Sequence, residues 1–144
     1  MQLTKFSDYA LRVLMYVDGA DDRLVTIDEI AGAYGVSRAH LMKVVNALTR
    51  TGYLASVRGR NGGLRLSRPA EEIRLGDVIR KTEPDMALVE CFGGESNCAI
   101  TGCCRLPNAL HAALEAFIAE LDRHTLADVS LSRNDFAQRL ALAD

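Results

Sequence analysis

The sequence has no cysteine outside the window from Cys91 to Cys104. Disulfide frameworks of small secreted proteins spread their cysteines along the chain, so this distribution argues against one. There is also no long uncharged apolar run, which excludes a helical membrane span. The first residues lack the basic and then apolar order of a secretory signal. We therefore expect a cytoplasmic protein whose thiols stay reduced and whose cysteines bind a metal.

Acidic residues are absent between Ile30 and Ala70. The net charge of −2 hides this asymmetry, since residues 1–80 carry 12 basic and 9 acidic side chains (+3) and residues 81–144 carry 5 and 10 (−5). An ordinary solvated face usually mixes both signs, whereas an acid-free stretch produces a positive field suited to phosphates. Seven basic residues lie within it: Arg38, Lys43, Arg50, Arg58, Arg60, Arg65 and Arg68.

A helix-turn-helix pattern begins this basic stretch. Thr26 followed by Glu29 has the spacing of a capping box and predicts a helix start. Gly35 predicts a tight turn, and Ser37 is placed to cap a further helix over 38–50. Such a helix enters the major groove of DNA with its first residues at the base edges. The residues that we expect to contact DNA from it are Ser37, Arg38, His40, Lys43 and Asn46.

A basic hairpin follows the helix-turn-helix. Two β-prone runs, 53–57 and 64–67, flank a turn-rich tip. Glycines at such a tip allow the backbone to approach DNA closely, while basic side chains reach phosphates or the minor groove. A hairpin in this position predicts the wing of a winged helix. Its expected DNA contacts are Arg58, Arg60, Asn61 and Gly62.

The predicted fold class is mainly α with a small β-wing, a winged helix-turn-helix plus a long dimerisation helix. The boundaries are 1–80 for the DNA-binding domain, 81–104 for a cysteine loop, 105–128 for the dimerisation helix and 129–144 for a C-terminal tail. Helices are predicted over 3–17 and 75–81. The long helix carries an apolar stripe that we expect to pack on a second copy, giving a homodimer on a pseudo-palindromic site; packing within its own chain is the alternative.

The cysteine loop offers three separated thiols, Cys91, Cys98 and Cys104. Cys103 abuts Cys104, and we expect it to be a buried small apolar residue. Zinc sites usually contain a tighter Cys-x2–4-Cys pair, so iron–sulfur is favoured over zinc. Three thiolates leave one position for another ligand, and spacing does not choose among the candidates Asp8, Glu83, Asp85, Glu90, Glu95, His111 and His124.

Five segments together resemble one group of regulators: 1–12 (MQLTKFSDYALR), 34–38 (YGVSR), 57–63 (VRGRNGG), 75–78 (LGDV) and 82–92 (TEPDMALVECF). The resemblance is to the NsrR family of nitric-oxide-sensing repressors, within the larger group of iron–sulfur winged-helix regulators. It extends to about Asp128, and the segment 82–92 is its most specific part.

The resemblance implies a ligand set. The family's three cysteine ligands fall on Cys91, Cys98 and Cys104, and its fourth ligand, an aspartate of the first helix supplied across the dimer, falls on Asp8. Without the resemblance, we would interpret Asp8 as a solvated acid paired with Arg12 at i,i+4. A related assembly-sensing regulator has a histidine three residues after its last cysteine. This chain has Pro107 at that position, which argues against that regulator. The Cys91-x6-Cys98 gap is longer than usual in the family, and Gly93-Gly94 can absorb the extra residue.

We therefore expect a transcriptional repressor that binds double-stranded DNA and releases its operator when nitric oxide attacks an iron–sulfur cluster. A 4Fe–4S cluster is favoured over 2Fe–2S. The alternative is a thiol-redox or zinc-dependent winged-helix regulator. No catalytic constellation is recognisable in the sequence, and we expect no enzyme and no membrane partner.

Overall fold

The computed structural model describes residues 2–94 and 96–140. Glu95, one of the candidate ligands, lies outside this range, as do Met1 and residues 141–144. The fold class predicted from the sequence, mainly α with a small β-wing, is confirmed. The helices are α1 (Lys5–Gly19), α2 (Ile27–Tyr34), α3 (Arg38–Arg50), α4 (Leu75–Thr82), α5 (Leu106–Asp122), α6 (Leu126–Val129) and α7 (Arg133–Arg139); the strands are β1 (Leu54–Val57) and β2 (Gly63–Leu66).

Side-chain caps set where the first helices begin. Thr4 accepts a hydrogen bond from the amide of Ser7, so α1 begins at Lys5 and not at Leu3 as predicted. Thr26 accepts from the amide of Glu29 at 3.2 Å. The carboxylate of Glu29 does not complete the predicted capping box, because it binds Arg23 and the Tyr16 hydroxyl instead.

The helix-turn-helix packs on α1. Gly35 ends α2 in the left-handed conformation (φ 63°), the turn predicted from the sequence. Four apolar residues of α3, which recur at helical spacing, are buried. They join the buried face of α1 in a single apolar cluster, which holds α3 with its polar face outward. The buried positions are Ala10, Val13, Leu14 and Val17 of α1 and Leu41, Val44, Val45 and Leu48 of α3.

The wing is an antiparallel hairpin whose register pairs Leu54 with Leu66 and Val57 with Gly63. Each strand begins one residue away from its predicted start, because the cross-strand register decides which residues pair. Leu64 also exchanges backbone hydrogen bonds with Val25 at 2.7 and 3.1 Å. The hairpin is therefore anchored to the segment before α2 and is not free to swing.

Polar contacts join the N-terminal end of α1 to the C-terminal end of α4. The Ser7 hydroxyl, fully buried, donates to Thr82 Oγ1 at 2.8 Å. Glu83, directly after α4, accepts from the Thr4 amide at 2.9 Å and from its hydroxyl at 3.1 Å. Because α4 leads into the cysteine loop, these bonds fix α1 to the start of that loop.

The long helix α5 contacts the rest of its chain near its C-terminal end. Arg74 donates to the Asp122 carbonyl at 2.6 Å, and Arg80 forms an ion pair with the Asp122 carboxylate. The predicted apolar stripe consists of Leu106, Leu110, Ala113, Leu114, Phe117, Ile118 and Leu121. Of these residues, Ile118 is buried while Leu106 is 58% exposed. Leu110, Leu114, Phe117 and Leu121 are half-buried and Ala113 is exposed. The chain's own core therefore covers only the C-terminal part of the stripe.

Residues after Asp128, predicted only as a tail, contain helix α7. Ser132 caps it by accepting from the Asp135 amide. Phe136 is buried and meets the Tyr16 ring edge-on, with 4.9 Å between ring centroids. The α7 helix thus completes the core beneath the helix-turn-helix.

Within the described residues, none of the helices combines the length and the apolar character needed to cross a bilayer.

We predict that Phe136→Ala lowers the free energy of unfolding by about 3 kcal/mol, because it leaves a cavity against Tyr16. Urea unfolding followed by circular dichroism measures this. The matched control is Arg133→Ala, whose exposed ion pair with Asp21 should contribute less than about 1 kcal/mol. Equal midpoints for Phe136→Ala and wild type would show that α7 does not pack on the core.

Candidate nucleic-acid interface and cysteine loop

The outward face of α3 carries the side chains predicted to contact DNA. Ser37 caps the helix by accepting from the His40 amide at 3.3 Å. This cap fixes the start of the helix. Arg38, His40, Lys43 and Asn46 are all exposed, so each is accessible to a groove, although which of them reads a base stays a prediction. Arg38 Nε lies 2.7 Å from Asp28 Oδ1 of α2.

The wing tip brings the second group of predicted contacts to the surface. Arg58, Arg60 and Asn61 are exposed, and Gly62 is half-buried in the turn. The Gly62 amide donates to the Gly59 carbonyl at 3.0 Å. A Cβ atom on Gly62 would lie 2.2 Å from the Val57 carbonyl oxygen. Any residue other than glycine at this position would therefore force the backbone of the tip to move.

One basic residue of the acid-free stretch has a structural role that the sequence did not reveal. The Arg68 guanidinium donates to the Gly52 carbonyl at 3.0 and 3.2 Å and lies over the Tyr53 ring. It therefore holds the turn after α3 against the end of the wing. The partner is a backbone carbonyl brought close by folding, which leaves no sequence signal.

The four cysteines lie on the surface between α4 and α5. None forms a disulfide; Cys91, Cys98 and Cys103 are exposed, and Cys104 is half-buried. The prediction that Cys103 is buried is wrong. Cys103 lies in a turn in which its amide and its thiol both point at the Ile100 carbonyl, at 3.2 Å each, and this turn keeps the residue at the surface.

The donor set fits a soft metal centre in its chemistry. Several unpaired thiols on one loop are the ligands that iron–sulfur clusters and zinc use. Within the described part of one chain, however, no three side chains of ligand type gather in an arrangement that could hold a metal. A centre bound by Cys91, Cys98 and Cys104 thus requires a rearranged loop or ligands from a second chain, and the ligand set stays a prediction.

Asp8 lies in the first turn of α1 and forms a two-point ion pair with Arg12. The distances are 2.9 Å from Arg12 Nε to Oδ1 and 2.9 Å from Nη2 to Oδ2. Arg12 in turn lies over the Tyr34 ring, 5.8 Å from its centroid, and its carbonyl accepts from the Tyr34 hydroxyl at 3.2 Å. Asp8 is therefore connected through one arginine to the last residue of α2, beside the helix-turn-helix turn.

The other candidate ligands have partners of their own or lie at the surface. Glu83 is bound to Thr4, and Asp85 accepts from the Ala87 amide at 3.0 Å. Glu90 is exposed directly before Cys91. His124 lies 3.4 Å from Glu120.

His111, the last candidate, packs against the cysteine loop in a way that sequence reasoning missed. Its ring stacks on Phe92, with 3.9 Å between centroids and 5° between planes. Phe92 follows Cys91 directly, so the stack fixes the start of the loop to α5. No signal in the sequence pairs two residues that lie in different elements.

Comparison with known proteins identifies relatives that share this fold. The Rrf2 family, described as an iron-dependent transcriptional regulator, matches residues 3–131. CymR, the global cysteine regulator of B. subtilis, has a TM-score of 0.72 and 23% identity, covering 90% of this chain and 96% of that one. The oxidised form of Staphylococcus aureus CymR has a TM-score of 0.72 and 25% identity, covering 90% of this chain and 96% of that one. T. potens IscR has a TM-score of 0.69 and 22% identity, covering 89% of this chain and 85% of that one. The likenesses below 25% identity support the fold alone.

We predict that Gly62→Ala weakens DNA binding at least tenfold without unfolding the protein, because the wing tip must open to admit the methyl group. Fluorescence anisotropy with labelled duplex measures binding, and circular dichroism checks the fold. Gly32→Ala is the matched control, since a Cβ atom there meets nothing within 4 Å. Unchanged affinity of Gly62→Ala would mean that the tip does not approach DNA.

We also predict that His111→Ala loosens the start of the cysteine loop. A stacked aromatic pair contributes about 0.5–1.5 kcal/mol, so amide hydrogen exchange over residues 89–93 should accelerate about two- to tenfold in the reduced, metal-free protein. His111→Phe, which keeps a stacking ring, and His124→Ala should exchange as wild type. Identical exchange in His111→Ala would show that the stack does not hold the loop.

Proposed function

Because the chain belongs to the Rrf2 family of transcriptional regulators, we propose that it is a DNA-binding repressor that senses nitric oxide through an iron–sulfur cluster. The observation that carries this proposal is the set of unpaired thiols on one loop in a chain whose family is described as iron-dependent. The winged helix supplies the operator contacts. Its action on chromosomal DNA places it in the cytoplasm, where thiols stay reduced.

The proposed repressor is a homodimer. Two large apolar side chains lie in solvent at the N-terminal end of α5 and just before it, Leu106 at 58% and Ile100 at 53% exposure. A helix with an apolar stripe of this length is stable when a partner covers it. A second copy of α5 would cover the stripe symmetrically and set two winged helices at a fixed spacing, as a pseudo-palindromic operator requires.

Cys91, Cys98 and Cys104 of one subunit and Asp8 of the partner subunit would hold the cluster, with 4Fe–4S favoured over 2Fe–2S. When bound, it supplies iron with one exchangeable, oxygen-ligated position at which nitric oxide can bind. Asp8 is exposed enough to exchange partners, since its side chain is 44% accessible. Its carboxylate accordingly has two alternatives, Arg12 in its own chain or the cysteine loop of the partner.

This choice offers a route to the DNA-binding surface. When the Asp8 carboxylate leaves Arg12, the guanidinium loses its two-point partner while still lying over Tyr34. Tyr34 ends α2, so a shift there reorients α3 relative to α1. With a coupling free energy of about 3 kcal/mol between the two sites, the form whose Asp8 is held by the partner's cysteine loop would bind operator roughly a hundredfold more tightly than the form whose Asp8 pairs with Arg12.

An anaerobic titration of operator DNA tests the proposal. Protein isolated without oxygen should bind the operator, while the same preparation after nitric oxide and the metal-free protein should bind about a hundredfold more weakly in a mobility-shift assay. The operator is the duplex selected by the isolated protein from a random pool. Equal affinity of all three forms contradicts nitric oxide sensing through a cluster.

Cysteine variants test the ligand set separately. Cys98→Ala should lose the visible charge-transfer absorption of an iron–sulfur protein, because three ligands cannot be completed. Cys103→Ala is the matched control and should keep it. Retained absorption in Cys98→Ala, or its loss in Cys103→Ala, would contradict the assignment of Cys91, Cys98 and Cys104.

The second candidate is a thiol-redox or zinc-dependent regulator of the same fold. It is supported by the adjacent thiols Cys103 and Cys104 and by the likeness to a CymR in an oxidised form. A colourless protein that binds zinc, or whose operator affinity follows the thiol redox state, would favour it.

A further inference from the structure

The first basic residue of α3 differs from the other cations of the acid-free stretch in having a carboxylate partner. Among the described residues, Arg38 alone of the seven basic side chains between Ile30 and Ala70 forms an ion pair. The acid is Asp28, which belongs to α2 and lies outside that stretch. Folding thus places one negative charge beside Arg38, the first residue of α3.

The pair is not explained by stability. Both side chains are well exposed, Arg38 at 56% and Asp28 at 70%, and exposed pairs of this kind contribute little to folding. A carboxylate near DNA also repels phosphates, so Asp28 weakens sequence-independent binding. A role in orienting Arg38 accounts for both facts.

The geometry leaves the reading end of Arg38 free. The contact of this ion pair joins Asp28 Oδ1 to Arg38 Nε at 2.7 Å, and among the described residues no acceptor forms a hydrogen bond with Nη1 or Nη2. Bidentate recognition of guanine uses two parallel N–H groups directed at O6 and N7. A carboxylate beside Nε favours guanidinium orientations that leave the two terminal nitrogens for a base, which lowers the conformational entropy lost on binding.

The base of this arrangement is rigid. Asp28 lies in the first turn of α2, which Thr26 caps, and Arg38 is the first residue of α3, which Ser37 caps. The Gly35 turn and the Val36 amide, which donates to the Ala31 carbonyl at 3.1 Å, fix the two helices relative to each other. The backbone positions of Asp28 and Arg38 are therefore fixed relative to each other by caps and hydrogen bonds, not by flexible loops.

We propose that Asp28 is a specificity-determining residue that positions Arg38 to read a guanine in each operator half-site and that suppresses binding to unrelated DNA. The inference rests on the proposed placement of α3 in the major groove, and is independent of the cluster and of nitric oxide.

The test measures base preference, which a structural role would not alter. Duplexes selected by the wild-type protein, and a set in which each base pair is changed in turn, are titrated by fluorescence anisotropy at fixed salt. Arg38→Ala should lose preference at one base pair per half-site by about 5- to 150-fold, since a bidentate pair discriminates by about 1–3 kcal/mol. Asp28→Ala should relax the same base pair at least threefold and bind unrelated duplex more tightly.

Two further variants separate the alternatives. In the double variant Asp28→Ala/Arg38→Ala, preference should be no lower than in Arg38→Ala alone, because Asp28 acts through Arg38. Asp28→Asn keeps the side-chain shape if Asp28→Ala perturbs α2, and should relax the same base pair. Asp77→Ala is the matched control, an exposed aspartate paired with Arg80 at 3.0 Å on α4, and should change neither preference nor affinity.

Distinct results overturn distinct claims. If both Asp28 variants bind every duplex more tightly by the same factor and keep all preferences, Asp28 acts only as a repelling charge and the inference is wrong. If Arg38→Ala keeps every base preference, the first turn of α3 does not read DNA, and the proposed docking of α3 fails with it.

Discussion

The packing of α1 between the recognition helix and α4 is the constraint on which the rest of the structure depends. Its apolar face closes the core beneath α3, while Ser7, buried at its N-terminal end, hydrogen-bonds Thr82 of α4. A close-packed interior of this kind transmits a displacement instead of absorbing it. The same helix presents Asp8 on its exposed side. One rigid element therefore joins the surface proposed to contact DNA to the start of the loop that carries the thiols.

This arrangement explains how a change in the cysteine loop can reach the helix-turn-helix. The cysteine loop begins directly after α4 and ends where α5 begins, so both of its ends are attached to elements fixed by the core or by the proposed partner copy. The Phe92–His111 stack adds a third attachment. A change in the loop is therefore transmitted to α5, which in the proposed dimer sets the spacing of the two winged helices, and through α1 to the helix-turn-helix.

Local rules predicted the parts of the fold that local interactions determine. The bounds of α3 were predicted from the Ser37 cap and the spacing of apolar residues. The turn at Gly35 was predicted because glycine readily adopts the left-handed backbone that such a turn needs. The α7 helix was missed because Phe136 is buried by Tyr16, far away in sequence. Cys103 was misplaced because the turn around Ile100 depends on the path of the whole loop. The Asp28–Arg38 and Phe92–His111 contacts could not be predicted, since each joins side chains from different elements. The clustering of the cysteines was evident from the sequence, whereas the proposed metal site also needs a ligand from a second chain.

The central claim is that a thiol-held iron–sulfur centre resides in a dimer of this chain. Native mass spectrometry of protein isolated without oxygen tests it most directly, because one spectrum reports subunit number, iron and sulfide. The account predicts a dimer whose mass exceeds twice that of the polypeptide by one iron–sulfur cluster per subunit. A dimer or monomer at the bare polypeptide mass, or one carrying zinc without sulfide, would contradict it.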